Sequence, residues 1–299
     1  MKLKSSTIQA LGIFSFAISC VIISSCNEES QQKPVELEEI TQDIEVDDSK
    51  NLFYSIPSPM ELGQLLKRAG ATYNNQLLNP AERASQYVGT SNKALNMGVY
   101  VADLSYATVS NQMQESIIYL NSTKLLSEDL GLKSFSTEMI LEIEKNMENK
   151  DELMKLVSEA YQSSNESLTE NDREIVSLLS IAGGWIEGIY LGTQIAKTTK
   201  ENSGIIKMVA EQRFTLDNLI LQMDSYKSNS AVLTLANELK EVQLIYDEEP
   251  ISEANTIVKS ESGSNLITIG GTSGFSLSKD QFLRITEKIE KTRTSIVEI

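Results

Sequence analysis

The chain has 299 residues, with 26 Lys and Arg against 42 Asp and Glu, a net charge of -16, two cysteines and no histidine. Without histidine there is no Ser-His-Asp triad, no Cys-His pair and no imidazole ligand for zinc or iron. A chain that binds nucleic acid by neutralising phosphates needs a basic face, and this composition leaves few cations for one. The common hydrolase mechanisms are therefore excluded, and no nucleic-acid partner is expected.

The first 25 residues have the pattern of a secretory leader. Lys2 and Lys4 precede residues 7–25, which carry no charge and are rich in apolar side chains. The stretch ends on Ile23, two serines and Cys26. This ending resembles a bacterial lipobox, in which diacylglycerol alkylates the cysteine thiol and the cysteine becomes the first residue of the mature chain. An uncleaved membrane anchor is the alternative, since about 18 apolar residues approach the length of a span.

Residues 26–50 are predicted to be an acidic, flexible tether. Residues 27–48 contain nine acidic residues and one lysine, a composition that cannot bury enough apolar surface to fold. Removal of the leader would leave Cys26 as the one remaining cysteine, and the lipobox resemblance implies that it carries the lipid. Neither a disulfide nor thiol catalysis is then expected, so the fold must be stabilised by burial.

Asn27, Glu28 and Glu29 directly follow the predicted lipid attachment site. An acidic pair at this position resembles the signal by which Bacteroidota export certain lipoproteins to the outside of the outer membrane. The resemblance implies an outer-membrane protein that is exposed at the cell surface. A periplasm-facing anchor is the alternative, because an acidic linker can serve simply as a solvated spacer.

Residues 51–299 are predicted to form one α-helical domain, because apolar residues recur there at helical rather than alternating spacing. Ser58, Ser136, Thr169 and Ser278 stand where helix N-caps are expected. The predicted helices are residues 59–69, 80–88, 91–109, 112–130, 136–147, 150–163, 169–199, 204–225, 230–246 and 278–299. The fold class is therefore predicted to be an all-α, multi-helix bundle.

Residues 256–270 break the helical pattern. Two β-branched runs flank a segment rich in Ser and Gly, which predicts a small β-hairpin before the C-terminal helix. A lone two-stranded hairpin is marginal in water, so it is expected to pack on the bundle. Gly270, Gly271 and Gly274 lack the lysine and the spacing of a phosphate-binding loop, so no cofactor is predicted.

Two of the predicted helices are nearly uncharged, and each has an acid followed three positions later by a tyrosine. Asp103 and Tyr106 lie in the first, and Glu187 and Tyr190 lie in the second. Residues three apart share one helical face. The match indicates a weak internal repeat, two helical hairpins about an approximate two-fold axis, with chance similarity as the alternative.

Gly184, Gly188 and Gly192 recur every four residues in the second of these helices. Glycine inside a helix costs about 1 kcal/mol relative to alanine, so three on one face need a packing reason. We expect a close crossing with the backbone of the helix that carries Asp103. Residues 175–196 could also span a membrane, but Glu187 at their centre and the lack of aromatic belts favour a central buried helix.

Asp103 and Glu187 are the residues on which chemistry would depend. Two carboxylates among apolar groups can act as acid and base on a glycosidic bond, which makes an envelope hydrolase one hypothesis. Alternatively, each acid hydrogen-bonds a neighbouring helix, for instance through Tyr106 or Tyr190, and fixes the register of the bundle. With their oxygen ligands the two acids could also hold a divalent cation, but di-iron bundles use histidine ligands and this chain has none, so no metal is predicted.

The structural interpretation is preferred, since the sequence contains no nucleophile elbow, metal motif or nucleotide fingerprint. The chain is then a lipid-anchored, non-catalytic helical module of the cell envelope. Its expected partners are the membrane, through the N-terminal lipid, and an envelope protein or small ligand of unknown identity. Over its whole length the chain resembles helical lipoproteins of the Bacteroidota, a resemblance that implies no activity.

Overall fold

A computed structural model of the chain describes residues 56–146, 148–248, 257–260, 267–270 and 276–299. Ten α-helices make up most of this part, and two 3-10 helices, Asn75–Leu77 and Ala81–Gln86, follow the first of them. The α-helices are α1 Pro59–Arg68, α2 Thr90–Val109, α3 Met113–Asp129, α4 Thr137–Lys145, α5 Lys150–Glu170, α6 Glu174–Thr198, α7 Ser203–Glu211, α8 Arg213–Ser225, α9 Ser230–Tyr246 and α10 Lys279–Val297. The prediction of an all-α bundle is confirmed for the described residues.

Two short strands lie between α9 and α10. Strands β1 Ile257–Ser260 and β2 Ile267–Gly270 pair antiparallel, with Ile257 opposite Gly270 and Ser260 opposite Ile267. The remaining residues of the segment from 249 to 275 lie outside the described part, so the predicted hairpin and its packing on the bundle stay predictions. The predicted leader and tether, residues 1–50, also lie outside it.

Three of the predicted N-caps are confirmed and one is wrong. The Ser58 and Ser278 side chains accept backbone N–H groups in capping boxes, and Ser136 accepts the backbone N–H of Met139. Thr169 instead lies inside α5, where its hydroxyl donates to the carbonyl of Asn165, four residues earlier. The chain turns between α5 and α6 through Asp172, which has a φ of 55°. Helix α6 therefore begins at Glu174 rather than at residue 169.

Two other predicted helices are divided differently in the structure. Residues 80–88 form the 3-10 helix Ala81–Gln86 instead of an α-helix. The segment 204–225 is broken at Gln212, which ends α7 and precedes α8. Helical periodicity continues across both sites, so spacing alone does not reveal these changes of direction.

Helices α2 and α6 form the centre of the bundle and are buried along most of their length. A methyl group placed on Gly98 would overlap the carbonyl oxygen of Ser180 and come within 2.7 Å of the Gly184 nitrogen. On the other helix, a methyl group on Gly183 would overlap the Leu95 carbonyl oxygen. The two backbones therefore touch, as expected from the sequence, and the glycines at the contact are Gly98, Gly183 and Gly184; a methyl group on Gly184 would lie 3.3 Å from the Gly98 carbonyl oxygen.

The three regularly spaced glycines of α6 also line a groove that is filled by side chains, most of them from α1. A methyl group on Gly184 would lie 2.8 Å from Pro59 Cγ, and one on Gly188 would lie 2.8 Å from Leu62 Cδ1. At Gly192 the nearest atoms belong to side chains, Met208 Cε at 3.0 Å and Leu66 Cδ2 at 3.2 Å. The expectation of a neighbouring backbone opposite Gly188 is wrong, because side chains of α1 fill that groove.

Among the described helices, α6 is the one that is long and apolar enough to cross a membrane. In the structure, 89% of its most apolar window is buried by the rest of the chain. The apolar residues of α6 are thus packed against the surrounding helices. This burial is the arrangement expected of a central helix in a bundle.

Cations from other parts of the chain cap three helix C-termini. Lys150 Nζ donates to the Val109 carbonyl at 2.8 Å, and Arg173 Nη1 donates to the Leu130 carbonyl at 2.8 Å. Arg83 Nη1 donates to the carbonyl of Val297, the last residue of α10, at 3.2 Å. The last carbonyls of a helix have no partner within it and carry partial negative charge, so a cation stabilises them.

We expect Gly98→Ala to destabilise the fold strongly and Gly188→Ala to have a much smaller effect. The new methyl group at position 98 meets a backbone oxygen, and such overpacking typically costs about 1 to 3 kcal/mol or more. At position 188 it meets the flexible end of Leu62, while alanine gains about 1 kcal/mol of helix propensity. Urea unfolding of both variants provides the comparison, and equal losses would contradict the backbone contact at Gly98.

Candidate functional site

The structure brings together the two acids that the sequence singled out. Asp103 of α2 and Glu187 of α6 are both 0% exposed. The Glu187 carboxyl group acts on Asp103 and raises the pKa of that side chain. We call these two residues the acid pair. They are carried by α2 and α6, the two helices whose backbones touch at Gly98.

Arg293 of α10 neutralises Glu187. Its Nε donates to Glu187 Oε2 at 2.9 Å and its Nη2 donates to Oε1 at 3.1 Å, so both carboxylate oxygens are held in a bidentate pair. Nη2 also donates to the Leu77 carbonyl at 3.3 Å. The Arg293 side chain is 11% exposed. This residue therefore closes the solvent side of the acid pair.

Sequence reasoning did not identify Arg293, although a signal was present. The apolar face predicted for the C-terminal helix contains Ile289 and Ile296, and position 293 lies on the same face, four residues after one and three before the other. A cation on a buried face needs a buried partner. Glu187 was the available acid, but nothing in the sequence states which helix lies opposite α10.

The backbone of the connection between α1 and α2 supports Asp103. Asn79, which is fully buried, donates its backbone N–H to Asp103 Oδ2 at 3.0 Å. Its side-chain amide donates to Tyr87 Oη at 3.0 Å. Asp103 Oδ1 receives no hydrogen bond from an N–H or hydroxyl donor in the described part of the chain.

The connection and the first half of α2 also bind the end of α10. Tyr87 Oη donates to the Val297 carbonyl at 3.0 Å, and Asn96 Nδ2 donates to the Ile296 carbonyl at 2.9 Å. Both acceptors are carbonyls of the last turn, which have no partner inside the helix. Tyr87 and Asn96 therefore supply hydrogen-bond donors to the C-terminus of α10.

The two predicted tyrosines have different roles. The ring of Tyr190 lies under Arg293, with the guanidinium carbon 4.5 Å from the ring centroid, which adds a cation–π contact to the ion pair. Tyr106 Oη donates to the Thr72 carbonyl at 2.8 Å and accepts the Asn74 N–H at 3.0 Å. Tyr106 thus fixes the chain after α1, and its hydroxyl is committed to that backbone rather than to Asp103.

The electrostatics of the acid pair are unequal. Burial, and then the adjacent Glu187 carboxylate, raise the pKa of Asp103 well above its usual range, against the opposing effects of Arg293 and the Asn79 N–H. Burial acts to lower the pKa of Arg293, but the Glu187 carboxylate outweighs it and raises that pKa. Ionisation of Asp103 is therefore disfavoured in the folded protein.

This geometry does not suit glycoside hydrolysis. The catalytic carboxyl groups of glycosidases flank the scissile bond of a bound substrate, whereas Asp103 and Glu187 are both closed to solvent. Arg293 also occupies both oxygens of Glu187. In the described part of the chain, no three Cys, Asp or Glu residues are grouped so that they could hold a metal ion.

An open groove of about 540 Å³ lies elsewhere, between α9 and α10. Leu244 and Ile245 form part of its lining, and two ion pairs, Lys288–Glu241 and Arg284–Glu248, cross it. Neither member of the acid pair lines this groove. The groove therefore gives a substrate no access to Asp103 or Glu187.

No protein-family model, curated protein or solved structure matches this chain. The roles of Asp103, Glu187 and Arg293 are consequently inferred from their own contacts. Those contacts describe a satisfied, buried ion pair with one additional carboxyl group. Such an arrangement links helices and fixes their register.

Removing the arginine should be costly. We expect Arg293→Gln to destabilise the fold by about 3 to 5 kcal/mol, because it leaves Glu187 buried without its counter-ion. Arg284→Gln is the matched control on the same helix, since Arg284 pairs with Glu248 at the exposed surface and its loss should change little. Equal unfolding midpoints for the two variants would show that the buried pair does not hold α10.

Proposed function

We propose that this chain is a lipid-anchored lipoprotein of the bacterial outer membrane whose folded part is a non-catalytic helical module. The module binds an envelope protein or a small ligand, or serves as a structural element of the envelope. The observation that carries the non-catalytic assignment is the complete burial of the acid pair under Arg293. An acid and a base for catalysis must reach a substrate, and this pair does not.

The anchor is inferred from the N-terminal sequence. Ile23 and two serines precede Cys26, at the end of an uncharged apolar stretch that follows two lysines. Asn27, Glu28 and Glu29 then provide the acidic pair that resembles a surface-export signal. Both features favour an outer-membrane lipoprotein that faces the medium, held by its lipid through an acidic tether.

We further propose that the bundle contains an internal repeat. Asp103 and Glu187 are 84 positions apart, as are Tyr106 and Tyr190. A parallel crossing in which equivalent positions meet is supported by Gly98, whose nearest neighbours are Ser180 and Gly184, on either side of position 182. In this architecture the β-hairpin near residues 256–270 is an addition after the second repeat.

The lipid anchor can be tested by replacing each cysteine separately. We expect Cys26→Ser to abolish labelling by a fatty-acid probe and to release the protein from the membrane fraction. Cys20→Ser is the matched control and should leave both unchanged, because Ala17 occupies the position where a lipobox requires an aliphatic residue. Continued labelling of the Cys26→Ser variant would refute the assignment.

The export signal can be tested independently of the anchor. We expect Glu28→Gln with Glu29→Gln to retain the lipid but to become protected from protease added to whole cells. The variant Glu38→Gln with Glu39→Gln removes the same charge farther along the tether and should remain accessible. If all of these proteins are digested alike, the acidic pair after Cys26 has no role in export.

A further inference from the structure

The acid pair and Arg293 contain more acids than bases. Two carboxyl groups and one guanidinium meet in a region where both acids are fully buried. A buried charge without a partner is expensive, because the protein interior cannot replace the water it loses. With both acids ionised, the cluster would carry one uncompensated negative charge.

Among the residues that the structure describes, Arg293 of α10 is the one cation that acts on Asp103. Glu187 of α6 is the other carboxyl group that acts on Asp103. The remaining titratable groups that interact with it are tyrosines from the connection after α1 and from α2, α3 and α6: Tyr73, Tyr100, Tyr119 and Tyr190. Burial raises the pKa of each of these tyrosines, so they stay neutral.

The hydrogen bonds locate the missing proton. An ionised carboxylate can only accept hydrogen bonds, so a buried carboxyl oxygen that has no donor marks the acid for which ionisation is most costly. Arg293 donates to both oxygens of Glu187, and the Asn79 N–H donates to Asp103 Oδ2. Asp103 Oδ1 has no donor from the described N–H and hydroxyl groups, so it is the atom that carries the proton.

We propose that Asp103 and Glu187 form a buried one-proton switch, in which a proton on Asp103 removes the uncompensated charge beneath α10 and its loss loosens the crossing of α2 and α6. This inference does not depend on the lipid anchor. It makes the stability of the helical module respond to pH in the direction opposite to that of an ordinary ion-paired aspartate. The helical module is therefore expected to be most stable in acidic medium and less stable in alkaline medium.

The direction follows from proton linkage. An unfolded aspartate loses its proton near pH 3.9. The folded Asp103 keeps its proton to a higher pH, because burial and the Glu187 carboxylate raise its pKa. Between these two points the folded state binds more protons than the unfolded state, so stability falls as the pH rises. Below this window the full stabilisation is present, and above the folded pKa it is lost.

Asp103→Asn tests the switch directly, because asparagine reproduces the protonated side chain. Its oxygen can accept the Asn79 N–H and its side chain carries no charge, so we expect the variant to fold. Compared with the variant by urea unfolding, the wild type should be most stable at the acidic end of a titration from about pH 4 to pH 9. As the pH rises, the unfolding constant of the wild type should increase relative to the variant by up to about tenfold per pH unit.

Asp217→Asn is the matched control, since Asp217 accepts a hydrogen bond from Gln243 at a partly exposed position on α8. It should retain the pH dependence of the wild type. Parallel curves for wild type and Asp103→Asn would overturn the proposal. So would the same loss of pH dependence in the Asp217→Asn control.

A second measurement needs no stability difference. In the full chain labelled with ¹³C at aspartate carboxyl carbons, the resonance that is missing in Asp103→Asn belongs to Asp103. We expect this resonance to show the chemical shift of a protonated carboxyl group at neutral pH, while exposed aspartates show the ionised shift. An ionised Asp103 in the folded protein at neutral pH would refute the switch.

Discussion

The contact between the backbones of α2 and α6 is the constraint on which the rest of this structure depends. It requires glycine at positions 98 and 183, where any side chain would meet a carbonyl oxygen. Helices this close have no room for long side chains at the crossing. The same two helices carry Asp103 and Glu187, and both acids are fully buried.

Once two acids are forced together in the interior, the surrounding elements have to satisfy them. The chain does so with parts that are far apart in sequence: a backbone N–H at Asn79 and a guanidinium at Arg293. Tyr87 and Asn96 also stabilise α10, because they donate hydrogen bonds to the free carbonyl groups of its last turn. The polar centre thus joins the beginning and the end of the described bundle, and it does so without exposing a reactive group.

The sequence was sufficient to predict the helical class, three of the N-caps and the importance of Asp103 and Glu187. These features are local, since they depend on spacing within one helix or on a residue and its near neighbours. The partner of Glu187 was not predictable, because Arg293 is 106 residues away and periodicity gives no information on which helices meet. The neighbours of Gly188 were misassigned for the same reason, and the turn at Asp172 was missed because helical spacing continues through it.

The separation between Glu187 and Arg293 also has a consequence for the order in which the bundle can be completed. A ribosome makes α2 and α6 well before α10, so during synthesis the two carboxyl groups exist for a time without their counter-ion. Contacts between residues so distant in sequence form late, because their loop-closure entropy must be offset first. A chain that still lacks α10 therefore cannot stabilise the buried acid pair with Arg293.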